Sequence, residues 1–86
     1  MMAENCLKIL LVDDEEVIHE TIGEYLIECG YQVDNSFDGA DALEAIKTRS
    51  YDLALIDVRM PGIDGLTLLA KSRQIDQKMT VILMTG

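Results

Sequence analysis

Asp57-Val58-Arg59-Met60-Pro61-Gly62-Ile63-Asp64-Gly65 follows directly on Leu53-Ala54-Leu55-Ile56, an apolar run without a polar residue. A short apolar run that ends abruptly in a carboxylate, then Pro and Gly, reads as a buried strand leading into a loop. A strand that lacks polar alternation is covered on both faces, as in a parallel sheet. Ligand sites in such sheets lie just beyond the carboxyl ends of the strands, which is where Asp57 falls.

Two other runs have the same form. Leu7-Lys8-Ile9-Leu10-Leu11-Val12 ends in Asp13-Asp14-Glu15-Glu16, and Val81-Ile82-Leu83-Met84 ends in Thr85-Gly86. Between them the pattern changes to helical. Ile18, Ile22, Tyr25, Leu26 and Cys29 are spaced as one face of a helix over about Glu15 to Cys29. Asp13 or Asp14 caps it and Gly30 stops it. On that phase His19 lies on the polar, solvated face. Tyr31 to Ser36 alternates polar and apolar residues and reads as an edge strand. Asp38 caps a helix of about Ala40 to Arg49, and Asp64 one of about Gly65 to Gln74. Met79 to Met84 is the fourth strand.

Strand and helix alternating at this spacing indicate a parallel α/β sheet with right-handed crossovers. With the second strand at an edge, the order becomes 2-1-3-4, a flavodoxin-like doubly wound sheet. That order sets the first and third strands side by side and gathers Asp13, Asp14 and Asp57 at one edge. Three carboxylates at close range repel, and a hard divalent cation such as Mg2+ relieves the repulsion. Thr85 brings a hydroxyl to the same edge.

The composition narrows the function. With 86 residues the chain is one small domain, and an apolar fraction of 49% makes it globular. A net charge of -9, from 16 acidic and 7 basic residues, argues against a nucleic-acid surface and favours cations or basic partners. No apolar run approaches the roughly 18 residues of a membrane helix, and residues 1–5 lack the charged and apolar regions of a signal peptide. Cys6 and Cys29 are not spaced as a metal pair; they read as small buried or half-buried thiols in a reducing cytoplasm. Met60 reads as loop packing and Lys8 as a solvated strand end.

Taken together, Leu10-Leu11-Val12-Asp13-Asp14-Glu15, then Asp57 to Gly65, then Met84-Thr85-Gly86 resemble the receiver domain of two-component response regulators, a CheY-like fold. The resemblance covers essentially the whole chain. It implies a phosphoacceptor signalling domain of a phosphorelay rather than an enzyme with an independent substrate. Asp57 would take a phosphoryl group from a sensor histidine kinase or a histidine phosphotransfer protein. Asp14, Asp57 and the backbone carbonyl of Arg59 would hold Mg2+, with Asp13 acting largely through water. Thr85 would be the switch hydroxyl, and the backbone N–H groups of Arg59 and Gly86 would contact phosphoryl oxygens. The carboxylate as nucleophile and the cation as charge neutraliser are chemically sensible without the family.

A complete receiver resembles five strand–helix repeats, whereas this sequence stops after the fourth strand. The fourth helix, the fifth strand with its phosphoryl-pairing lysine and aromatic switch residue, and the fifth helix have no counterpart in it. The expectation is therefore a receiver over residues 1–86, incomplete at its C-terminus, with slow or absent phosphotransfer on its own. Val81 to Met84, apolar on both sides, would be an exposed edge that invites self-association.

Three rival readings compete. A pseudo-receiver or receiver fragment acting as an interaction module would have no use for clustered carboxylates. A metal-dependent phosphatase would want an acid/base carboxylate two residues after its nucleophile, where Arg59 stands. A flavin domain would want a phosphate loop after the first strand, where Asp13 to Glu16 would repel phosphate.

Overall fold

Every strand of the sheet is parallel. The computed structural model describes residues 6–85, with β1 at Lys8–Val12, β2 at Gln32–Ser36, β3 at Leu53–Asp57 and β4 at Thr80–Met84. Their order is β2-β1-β3-β4, as the polarity of the second strand requires. β1 is central. Ile9 is 2% exposed and Leu10, Leu11 and Val12 are 0% exposed, so this strand is sealed on both faces.

Two helices cover one face: α2 at Gly39–Thr48 and α3 at Gly65–Ile75. Ala42 and Ile46 of α2 and Leu68 of α3 close over Leu10, Val12, Ala54 and Ile56, with Tyr51, Met60 and Met79 filling the margins. Each large side chain fully buried there contributes about 1.5–3 kcal/mol. Both helices start as their capping residues dictate. Asp38 accepts from Asp41 N–H, and Asp64 from Thr67 N–H, each at 2.8 Å. The hydrogen bond from Thr67 holds the Asp64 carboxyl below its ordinary value of 3.8.

α1, residues 16–28, lies on the opposite face. It comprises an α-helical turn at Glu16–Ile18, a π-helical stretch at His19–Gly23 and an α-helical end at Glu24–Glu28. The buried face differs from the one read in the sequence. His19 and Gly23 are buried and Ile18, Ile22 and Leu26 half-buried, a stripe at ordinary helical spacing, while Tyr25 (65% exposed) and Cys29 turn outward. A Cβ at the buried Gly23 would sit 3.5 Å from Leu11, ordinary contact distance. Cys6 is the half-buried thiol, donating to the Gly30 carbonyl at 2.9 Å, and Cys29 is exposed.

Cover on the α1 face thins across the sheet. Asn35, Leu11, Leu55 and Ile82 form one cross-strand row. Leu11 is sealed beneath α1, Leu55 is half-buried and Ile82 is 47% exposed. At the amino end, Asp34 of β2 accepts from Tyr51 Oη at 2.6 Å and from Arg49 Nη1 at 2.8 Å, tying the edge strand to the segment after α2. The hydrogen bond from Tyr51 holds the Asp34 carboxyl low. Burial, then that hydrogen bond, pushes the Tyr51 phenol up to about 12.

Candidate functional site

Register decides which side chains meet at the carboxyl edge. Val12 pairs with Ile56, so Asp13, one residue past β1, comes level with Asp57 at the end of β3. Carboxylate oxygens of Asp13, Asp14 and Asp57 lie within 4.8 Å of one another. The chain thus assembles the acidic trio that its sequence pattern requires. Asp13 is 6% exposed, Asp57 is half-buried and Asp14 is exposed.

Burial pushes the Asp13 carboxyl above its ordinary value of 3.8. The Glu15 N–H, donating to Asp13 Oδ1 at 2.9 Å, opposes that shift, and the charges of Asp57 and Asp14 add to it. Asp13 therefore caps the first helix from two residues upstream, because Glu15 occupies the N-cap position with no side-chain bond of its own. The donor set is three oxygen ligands of a hard type, one of them buried, and among the described residues none of the three is in a salt bridge. That chemistry fits Mg2+, which takes one or two carboxylates and keeps waters.

The loop after β3 is held by its backbone. Arg59 N–H donates to Asp57 Oδ1 at 3.0 Å, while the Arg59 side chain is exposed. Gly65 N–H donates to the Val58 carbonyl at 3.0 Å, and a Cβ on Gly65 would lie 2.5 Å from the Asp57 carbonyl oxygen. Only glycine lets α3 begin this close to the site. Gly62 supplies the positive φ, 78°, that turns the loop. Val58 N–H continues the ladder to the Met84 carbonyl at 3.0 Å, bringing Thr85 to the same edge. A cavity of about 440 Å³ opens there, with Asp13, Asp14, Asp57, Arg59 and Thr85 in its wall. Gly86 lies outside the described residues.

His19 departs from the position that helical periodicity predicts. It is 7% exposed, not solvated. Its Nε2 donates to the Asp13 carbonyl at 2.8 Å, its Nδ1 lies 2.6 Å from Asn35 Oδ1, and its ring packs on Phe37 at 4.1 Å between centroids.

A doubly wound sheet with a carboxylate trio and a hydroxyl at its carboxyl edge defines the CheY-like class of domain. The chain belongs to the response regulator receiver domain family, whose model matches residues 9–86. It is 40% identical over 80 residues to the transcriptional regulatory protein DltR of Streptococcus agalactiae, an alignment covering 93% of this chain and 36% of DltR. It is 37% identical over 79 residues to sporulation initiation phosphotransferase F of Bacillus subtilis, covering 92% of this chain and 64% of that protein. Among solved structures it resembles response regulator TrrA of Thermotoga maritima in complex with Mg2+–BeF, with a TM-score of 0.87 and 39% identity over 92% of this chain and 69% of that one. The chain thus spans between about a third and two thirds of the length of these curated relatives.

Proposed function

We propose that Asp57 accepts a phosphoryl group from a phosphohistidine on a sensor histidine kinase or a histidine phosphotransfer protein. An Asp57 carboxylate oxygen attacks phosphorus, and the new P–O bond forms as the P–N bond breaks. The imidazole nitrogen leaves with its electron pair and takes up a proton. Asp13, Asp14, Asp57 and the Arg59 carbonyl would hold Mg2+, which when bound neutralises charge on the transferring group. The Arg59 N–H, now on Asp57 Oδ1, and the Gly86 N–H are the backbone donors for phosphoryl oxygens, and Thr85 is the hydroxyl that moves toward the phosphoryl group. Added charge at one loop can bias a two-state surface. That makes the product a switch for partner or output contacts. The domain assists its own phosphorylation by the partner and turns over no independent substrate.

The observation that carries this reading is the trio of carboxylates within 4.8 Å at the carboxyl edge. The B. subtilis relative is named a phosphotransferase, and TrrA is solved with Mg2+–BeF; both support it. Among the described residues no helix is long and apolar enough to cross a membrane, and two free thiols suit the reducing cytoplasm. The test is intact mass after incubation with Mg2+ and a small acyl phosphate donor. Wild type should gain one phosphoryl group, at the slow rate expected of this chain on its own, and Asp57→Asn none. A folded, Mg2+-binding wild type that gains nothing would refute acceptance by this chain alone.

One observation favours a second role beside the first. β4 has a single sheet neighbour among the described residues, and its Ile82 is 47% exposed beside half-buried Leu55. An open apolar strand edge invites pairing with another chain. Self-association through that edge would give an interaction module independent of phosphorylation, and sedimentation against concentration tests it.

A further inference from the structure

We propose that His19 is a positioning residue for the acidic site, fixing the peptide from which two of its three carboxylates project. The inference rests on the Mg2+ reading of that site. The Asp13 carbonyl belongs to the Asp13–Asp14 peptide. A trans peptide is planar, with C=O and N–H pointing opposite ways, so anchoring the carbonyl fixes the plane that joins the two Cα atoms and leaves each side chain only its own dihedrals to turn about. The anchor is the His19 Nε2 donor at 2.8 Å.

The ring itself is held from two other sides. Nδ1 meets the Asn35 side-chain amide at 2.6 Å, and the flat face lies on Phe37 at 4.1 Å. The atom set against Nδ1 is Asn35 Oδ1; turning that amide about its last bond presents its NH2 instead, so that Nδ1 accepts while Nε2 keeps its proton for the Asp13 carbonyl. Asn35 belongs to β2, the neighbour of β1 on the side away from Asp57. The chain of contacts therefore braces Asp13 from behind, while Ser36 holds the Asp13 N–H at 3.1 Å.

Any buried histidine needs partners for its ring nitrogens; what singles this one out is where its donor goes, to the one carbonyl between two site carboxylates. Groups that orient metal ligands from behind typically change metal affinity by about tenfold or more when removed.

The test is Mg2+ titration of 15N-labelled protein followed by NMR, each variant first confirmed folded by circular dichroism. His19→Leu keeps the bulk and removes the donor. It should raise the Kd for Mg2+ by about tenfold, and His19→Gln, whose amide can donate, should recover part of the loss. Asn35→Ala, at an exposed position, should raise Kd by a smaller factor and decides the matter if His19→Leu does not fold. Ile46→Val is the control, because it weakens the core on the opposite face and should leave Kd unchanged. Wild-type Kd in both His19→Leu and Asn35→Ala would overturn the role of His19 and leave the Mg2+ site standing. Absence of Mg2+ binding in wild type would overturn the site reading and this inference with it.

Discussion

Replacing Asp57 with Asn should make the cation-free protein more stable. Two unit charges 4.8 Å apart, the outer limit of the trio, repel by about 0.9 kcal/mol at the dielectric of water and about 3.5 kcal/mol at an effective value of 20. Asp13 and Asp57 are buried and half-buried, so their pair falls nearer the larger figure; Asp14 is exposed, so its pair falls nearer the smaller. Asn keeps the shape and an oxygen for the Arg59 N–H, and the weaker hydrogen bond gives back about 0.5–1 kcal/mol. The net gain expected near pH 7 in low salt is about 1–3 kcal/mol. It should shrink in 1 M NaCl, where the Debye length is about 3 Å.

Mg2+ should act in the opposite sense. At ten times Kd it stabilises wild type by about 1.4 kcal/mol and does little for Asp57→Asn. Acid should narrow the gap as well. The folded Asp13 carboxyl keeps its proton to higher pH than the unfolded one, so between the ordinary value of 3.8 and the raised value the native state binds more protons. Wild-type stability therefore falls as pH rises through that window, and the slope should be shallower without the Asp57 charge. Urea unfolding monitored by circular dichroism, with and without Mg2+, measures all three effects. An Asp57→Asn protein less stable than wild type in the absence of cations would refute the reasoning.

Other outcomes rest on single contacts. Gly65→Ala puts a Cβ 2.5 Å from the Asp57 carbonyl oxygen and 2.6 Å from Val58 Cα, backbone atoms with no room to yield. It should lose about 1–3 kcal/mol in urea unfolding and also weaken Mg2+ binding. Leu68→Ala, at a fully buried position, should lose about 2–5 kcal/mol without altering Mg2+ affinity in the folded protein. The Tyr51 phenol, pushed up to about 12, keeps its proton in the folded state after the unfolded chain has lost it. Stability should accordingly decline from about pH 10 to 12, and Tyr51→Phe should remove that decline. Ile82→Lys should change stability by no more than about 0.5 kcal/mol while abolishing any concentration-dependent sedimentation.

The sheet was legible because burial erases polar alternation. β1 and β3 read as uninterrupted apolar runs and proved central, while β2, with Gln32, Asp34 and Asn35, read as an edge and proved one. That contrast alone sets the strand order, and the order in turn brings Asp13, Asp14 and Asp57 together. The first helix was legible in extent and only partly in phase. The face read from Ile18, Ile22, Tyr25, Leu26 and Cys29 and the observed one of Ile18, His19, Ile22, Gly23 and Leu26 share one period and differ by a turn about the helix axis. Apolar periodicity cannot place a polar residue such as His19 inside, because what admits it there is its hydrogen bonds, to the Asp13 carbonyl and to Asn35, 16 positions away.

The acidic trio and the sealed β1 strand are two parts of one device. Clustered carboxylates destabilise a small domain, and this one has little surplus stability to spare. The fold tolerates them because the strand that ends in Asp13 is anchored by four residues at 2% exposure or less, Ile9 to Val12. The backbone around Asp13 is then fixed through Ser36 on one side and His19 on the other. The repulsion cannot be relieved by the strand end moving away. What remains is to change the charge, either by a cation between the carboxylates or by a proton on Asp13. Rigid support beneath the site is thus what makes folding stability respond to the ligand: a looser strand end would let the charges separate, and binding would then release less of the stored repulsion.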